Sequence, residues 1–462
     1  MTTAVQVQAP MTLGSAAPAG ESGKALCEIL ARFDRDGVEY ALLHPVRYGE
    51  GEIAGDVDIG FLADPRTVVT PILRAMEAEG WLQIVHCLHY DVLHGYYYIL
   101  KITDRRGLYL HLDCLCDPFG VNRYHVPIPA LLDGRARISG VVRLSADKEV
   151  LYTLIKRVMK GAFAQQKVMG LQQGLVNCAK QLEGPLTEWF GVEGREKLDS
   201  LCRTEDVQSA TDLLNQLRTG LESRFRRAHL LSYLGGKLLS WVRRFRRFLR
   251  PSGLFVVLIG PDGSGKSTVA GLLPIELERA FRATWRFHWR PNLFPKLSRR
   301  DTDRSAGGSE GIAPPQDAAY GRVTSCVRFL YYLMDFAVGY WLVIYPRKAR
   351  TTLIVGERYF ADVVVNPQRY GFALPSWLLR LGARLVPNPD VTILLVNEPD
   401  VVHARKPELS SESISEQMRQ YQEELPRWGH MCAVRTDGTP EDVVLRISHV
   451  LVQECATRLR NI

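Results

Sequence analysis

The strongest constraint on the fold is the stretch from Leu254 to Thr268, which reads LFVVLIGPDGSGKST. An apolar run stops at a glycine, crosses a short loop, and resumes as the apolar periodicity of Val269 to Leu273. This is the pattern strand, loop, helix. Within it, Gly260 to Ser267 matches G-x-x-x-x-G-K-[ST] in the context that gives that motif meaning. The glycines let the backbone close around a polyphosphate with its N–H groups pointing inward, and the helix start adds the positive end of its dipole. Gly260, Gly263, Ser264, Gly265, Lys266, Ser267 and Thr268 are therefore the expected nucleotide-binding residues. Lys266 reaches the terminal phosphates, and Ser267 is the expected magnesium ligand.

A chain of 462 residues exceeds one ordinary core. With 46% hydrophobic and 23% charged residues it has the composition of a globular protein. Its formal charge of +8 is local, because residues 224–250 hold nine Lys and Arg and no Asp or Glu. A general nucleic-acid binder is therefore not implied. The nine cysteines are scattered, with no C-x-x-C pair, as expected of buried thiols in a reducing cytoplasm. Met1 to Gly20 lacks the basic start and apolar run of a secretory signal and reads as a disordered lead-in. Phe329 to Tyr345 is nearly long enough to span a bilayer. Asp335 at its middle makes a buried helix of the phosphate-loop domain the favoured reading.

The expected organisation is a lead-in (1–20), an α+β domain (21–145), a helical connector (146–250) and an α/β domain (251–462). In the last, the expected strands are Leu254–Ile259, Thr284–His288, Thr352–Val355, Val391–Val396 and Met431–Thr436, alternating with helices as in a doubly wound parallel sheet. Arg299 to Gln316, rich in Ser, Gly, Asp and Pro, reads as a loop. The connector ends in a basic amphipathic helix at residues 236–250. That helix is either a linker packed on the next domain or an attachment to an anionic membrane face or acidic partner.

Four further features gather around the phosphate loop. Glu357 and Arg358 end the third strand, where an acid is placed to orient magnesium and a base to hold an anionic acceptor. Asp362 to Tyr370 bring further polar groups to the same rim. Arg405, Lys406 and Arg419 follow the fourth strand, on a segment able to close over the transferred phosphate. Asp437 follows the fifth strand, at a natural place for the adenine edge.

G-P-D-G-S-G-K-S-T together with E-R-Y resembles the thymidylate kinase group of phosphate-loop kinases, over roughly residues 254 to 462. The resemblance implies ATP and Mg2+ as cofactors. It implies Glu357 near the metal, Arg358 on the acceptor phosphate, Asp262 facing an acceptor hydroxyl, and Arg405 or Arg419 on the donor phosphates. His288-Trp289-Arg290-Pro291 stands where thymidylate kinases carry a T-R-E-P-G-G-T-like stretch. With Y-Y-L-M-D and E-R-Y-F-A-D-x-x-V-N-P-Q-R-Y, it is similar to thymidylate-kinase-like proteins of bacterial surface-polysaccharide gene clusters. The acceptor stays open between a nucleotide and a sugar-type metabolite.

In the first domain, Asp56-x-Asp58 puts two carboxylates on one face of a strand, and Asp113 lies on a later strand. If the strands are adjacent, the three could hold two magnesium ions. With the preceding helix and strand, residues 21 to 145 resemble the nucleotidyltransferase fold. His44 to Gly49 occupy the place where active members carry Gly-Ser. Three functions follow: an ATP- and magnesium-dependent phosphotransferase, an ATP-binding regulator or ATPase in surface-polysaccharide assembly, and a nucleotidyltransferase acting through Asp56, Asp58 and Asp113. The expected location is cytoplasmic, with peripheral membrane contact through 236–250 as the alternative.

Overall fold

A computed structural model describes residues 20–460, apart from 50, 90–93, 104, 119–126, 139, 161–164, 205, 229, 296–320 and 408. The expected lead-in (save Gly20) and the expected loop at Arg299 to Gln316 lie outside the described residues. The chain divides into two compact units, Met1–Phe245 and Arg246–Ile462.

The first unit is a mixed sheet with helices. Its strands are β1 (Tyr40–Leu42), β4 (Asp56–Phe61), β5 (Leu82–His89), β6 (His94–Ile102), β7 (Tyr109–Cys116), β8 (Ala136–Ile138) and β9 (Val141–Arg143); a two-stranded hairpin of β2 (Tyr48–Gly49) and β3 (Glu52–Ile53) stands apart. The sheet order is β5-β6-β7-β4-β1-β9-β8. Alternating turns and β-branched or aromatic runs make the long strands legible, as at Gly95 to Thr103. The hairpin has too few residues to carry a period. It is fixed from outside by Glu52, whose carboxylate accepts from the backbone N–H groups of Glu21 (3.0 Å) and Ser22 (2.8 Å) at the start of the helix Glu21–Arg35. A carboxylate there satisfies orphan donors and meets the positive end of the helix.

The helices Ala146–Lys160, Gln165–Asn177, Ala179–Arg203 and Val207–Ala228 follow. Their apolar faces, with Leu154, Leu182, Leu198 and Leu214, share one core with Ala41 and Leu43, at and just beyond β1, and with Leu115 of β7. The segment expected as a connector is thus continuous in packing with the sheet. The last helix, Leu230–Leu249, begins six residues earlier than the basic stretch that signals it in sequence.

The second unit is a five-stranded parallel sheet of β10 (Leu254–Ile259), β11 (Ala283–His288), β12 (Thr352–Glu357), β13 (Val391–Val396) and β14 (Met431–Arg435), in the order β11-β12-β10-β13-β14. β10 is apolar and buried throughout, and β12 and most of β13 are buried, with an apolar middle in each, as strands covered on both faces must be. The sheet order puts β10 between β12 and β13. The loops leaving those three strands therefore meet at one edge, where open α/β sheets bind ligands.

The long apolar segment forms a helix over Arg322–Gly339 that continues through a π turn, Tyr340–Ile344, into Tyr345–Lys348. By length and composition it could cross a membrane, and half of its most apolar window is buried within the structure. Asp335 is fully buried and paired with Arg290 at 3.0 Å, and it also accepts from the backbone N–H of Phe294 at 2.8 Å. Its charge thus anchors the H-W-R-P stretch against the helix.

Candidate active site at the phosphate loop

The loop between β10 and the helix Lys266–Glu276 folds as its glycines permit. Gly263 has φ +87°, and a Cβ there would stand 2.9 Å from the carbonyl oxygen of Val402 and 3.2 Å from Cβ of Lys406. Gly265 has φ +88° with open space around it. Only glycine meets both conditions at Gly263, namely the left-handed backbone and the close approach of a neighbouring segment.

Lys266 is buried, and its ammonium donates to the carbonyls of Gly260 (3.0 Å) and Pro261 (2.7 Å). Burial pushes its pKa down to about 7, with Arg358 adding to the effect. A buried ammonium whose hydrogen bonds go to neutral carbonyls, with Asp262 at 3.5 Å, is poised to exchange them for an anion. Ser267 and Thr268 open the helix on its exposed side. Ser267 Oγ donates to Glu357 Oε2 at 2.6 Å. A hydroxyl and a carboxylate side by side at a strand end form a donor set that suits magnesium. The Oγ of Ser264 is buried and has no hydrogen-bond partner among the described residues.

Glu357 ends β12, level with His288 of β11. Its backbone carbonyl accepts from Trp289 N–H at 2.7 Å, while Arg358 N–H donates to the carbonyl of Leu258 at 3.0 Å. Both Trp289 (φ 66°) and Arg358 (φ 68°) adopt left-handed backbone, which costs a bulky residue about 1–3 kcal/mol. This strain sits on either side of Glu357.

Arg358 is buried between two carboxylates. Its guanidinium contacts Asp262 of the phosphate loop and donates to Asp362 Oδ2 at 2.8 Å. Asp262 also takes Arg369 Nη1 at 2.6 Å and lies 3.5 Å from Lys266. Burial alone would raise the Asp262 pKa; Arg358, Lys266 and Arg369 outweigh it and hold the carboxyl well below its usual range. Asp362, fully buried, also accepts from the hydroxyls of Tyr370 and Tyr421. Its pKa is lowered, with burial opposed chiefly by Arg358. Tyr421 comes from the helix Ser411–Glu424, so that helix is tied to the same network.

The structure therefore brings together Asp262, Lys266, Ser267, Glu357 and Arg358. The other expected loop residues, Gly260, Gly263, Ser264, Gly265 and Thr268, lie with them, while Arg419, Arg405 and Asp437 lie elsewhere. Arg419 is exposed and paired within its own helix to Glu416 (2.7 Å) and Glu423. Arg405 is exposed at the end of the helix Pro399–Arg405. It is the next residue, Lys406, whose Cβ borders Gly263. Asp437 pairs with Arg446 (3.0 Å) and Arg435 (3.3 Å), beyond the edge strand β14.

Three participants carry little signal in sequence. Arg369 lies in the stretch expected at the rim, in the short 3-10 turn Pro367–Tyr370, but its pairing with Asp262 comes only through the fold. Tyr421 is the one aromatic of a largely polar helix. Arg286 lies 3.5 Å from Glu357, and a period-two reading of W-R-F-H would have placed it on one face with His288.

In the first unit, β4 and β7 are parallel neighbours, and Asp58 is level with Asp113. Asp58 is buried and paired with Lys156, with His44 Nε2 at 3.0 Å. Asp56 instead accepts from Tyr97 OH at 2.6 Å. Among the described residues no group of three or more His, Cys, Asp or Glu is gathered to hold a metal ion. The strands are adjacent as expected, but among the described residues the three carboxylates are not gathered into a metal-ion site, and Asp58 is paired with the Lys156 ammonium.

Comparison with known proteins bears on part of the chain. No family model matches it. It is 31% identical over 157 residues to thymidylate kinase of Xanthomonas oryzae pv. oryzae (strain PXO99A), covering 34% of this chain and 62% of the relative. It is 27% identical over 151 residues to a probable thymidylate kinase of Pyrobaculum aerophilum, covering 33% of this chain and 68% of that protein. The solved thymidylate kinase of Ehrlichia chaffeensis shares 17% identity at a TM-score of 0.30, over 44% of this chain and 99% of that one. The chain thus spans about three fifths of the length of the Xanthomonas relatives. A thymidylate-kinase-like segment makes up about a third of the chain.

Proposed function

We propose that the second unit is a nucleotide-kinase-like phosphotransferase that moves the γ-phosphoryl group of ATP to a small acceptor. The observation that carries this reading is the assembly at one sheet edge of a glycine cradle, the desolvated ammonium of Lys266, and the Ser267–Glu357 pair. The likeness to thymidylate kinases over part of the chain supports it.

On nucleotide binding, Lys266 exchanges two carbonyl oxygens for phosphate oxygens, and the loop N–H groups complete the cradle. Ser267, with Glu357 behind it, would hold magnesium, which neutralises charge between the outer phosphates. Arg358 and Arg369 bracket Asp262 and form a cationic wall for an anionic acceptor. With its pKa held so low, Asp262 accepts a hydrogen bond from an acceptor hydroxyl without taking the proton, which makes it a positioning group. In-line transfer forms a bond from a phosphate oxygen of the acceptor to the γ-phosphorus and breaks the bond to the bridging oxygen, so that ADP leaves and no proton has to be removed from the acceptor. The acceptor class we favour is a small phosphorylated metabolite, a nucleotide or a sugar phosphate.

The test is incubation of the full chain with magnesium, ATP labelled at the γ-phosphate, and a metabolite extract. Label is expected in a small organic product, with a loss of at least about a hundredfold in Lys266→Ala. Label released only as inorganic phosphate would replace this reading by that of an ATP-hydrolysing regulator.

A further inference from the structure

The helix Leu230–Leu249 is turned the opposite way from an ordinary surface helix. Leu231, Leu234, Leu238, Trp241 and Phe245 alternate at spacings of three and four, so they fall on one face; Phe248, one turn on, packs against Tyr345. That face is open: Leu231 is 86% exposed, Trp241 68% and Phe245 64%. On the opposite side, about 160° away at 100° per residue, Arg243 is buried. Packing thus buries a guanidinium and leaves the apolar stripe in water, a cost that a free surface has no reason to bear.

The charges choose the occupant. Arg244 and Arg246 flank Phe245, each about 100° around the helix, and Lys237 stands beside Leu238 on the same side as Arg244. Arg244 lies 5.9 Å from the Trp241 ring. Residues 224–250 contain no acidic residue. A second copy of the helix would bring cations against cations along the seam, and the helix itself carries no acidic residue to pair with them. An anionic bilayer meets both needs. Acyl chains cover the stripe, and headgroup phosphates meet the flanking Lys and Arg, which snorkel to the interface.

We propose that Leu230–Leu249 is an in-plane docking helix for anionic phospholipid. Tryptophan and phenylalanine sit at the headgroup boundary, and the cations sit at its rim. This rests on the helix alone and is independent of the chemistry at the phosphate loop.

The experiment is co-sedimentation of the full chain with vesicles of phosphatidylcholine, with and without about a third phosphatidylglycerol. Binding is expected only with the anionic lipid, and it should weaken steeply as salt rises from roughly 0.1 to 0.5 M. That salt series uses the unaltered protein, so it stands even if a variant misfolds. Arg244→Gln with Arg246→Gln should lower affinity about 25-fold. Leu238→Glu with Phe245→Glu should abolish binding, with the circular dichroism spectrum unchanged. Equal binding to neutral vesicles, or none to either, overturns the proposal. So does capture by immobilised polyglutamate without vesicle binding, which would assign an acidic polypeptide. Helix-dependent dimerisation without vesicle binding would assign a second copy.

Discussion

Asp262 and Arg358 are in direct ion-pair contact although 96 residues separate them in the chain. Asp262 leaves β10 and Arg358 leaves β12, and parallel pairing of those neighbouring strands brings the two loops to one edge. Arg358 also holds the fully buried Asp362, so a single guanidinium bridges two carboxylates.

Removing that guanidinium should therefore cost more than its own contacts. Arg358→Met leaves the fully buried Asp362 carboxylate without its cation and Asp262 with only Arg369 and Lys266, with an expected loss of about 3–5 kcal/mol in urea unfolding. Arg358→Lys should recover little of it, because one ammonium does not reproduce the planar fork that serves both acids. Partial unfolding confined to the second unit would appear as a separate transition, since the first unit has its own core.

Asp262 predicts a pH dependence of defined sign. Its folded pKa lies below the ordinary value of 3.8. The stability it contributes is thus fully present above the unfolded pKa and is lost as pH falls through the folded one. Urea titrations of the unaltered protein and Asp262→Asn should show a gap at about pH 5 that narrows below about pH 4. A gap that widens on acidification would contradict the pairing with Arg358, Lys266 and Arg369.

The two loop glycines should respond differently to a single methyl group. Gly265→Ala meets only its left-handed backbone, at about 1 kcal/mol. Gly263→Ala adds a collision with the carbonyl of Val402 and should cost at least about 2 kcal/mol without any nucleotide present. Thermal melts of the two variants in nucleotide-free buffer give the comparison.

Asp335 and Arg290 should behave as a coupled pair. Either Asp335→Leu or Arg290→Met alone leaves a buried charge and is expected to cost about 3–5 kcal/mol. The double variant should cost clearly less than the sum, with a coupling of about 2 kcal/mol. Additive losses in the double-mutant cycle would show that the pair carries no mutual stabilisation.

The chain itself dictated the phosphate loop, because its glycines, Lys266 and Ser267 act through backbone conformation within eight consecutive residues. It also dictated the five parallel strands. Uninterrupted apolar runs such as Leu254–Ile259 have no stable place except between two covering layers. Glu357 and Arg358 were legible because a strand end fixes where adjacent residues point. Contacts whose partners are distant in sequence were not legible. Nothing in N-P-Q-R-Y marks Arg369 as a partner of Asp262. No local feature of the helix Ser411–Glu424 directs Tyr421 to Asp362 while turning Arg419 toward its own Glu416. Likewise, the spacing of Asp56 and Asp58 set them on one strand face, but the tertiary structure brought Lys156 from 98 positions away to neutralise one of them. The physical reason is common to all of these. Periodicity and backbone stereochemistry are local properties. The pairing of buried charges is decided by which side chains a completed fold leaves within reach of each other and beyond the reach of water.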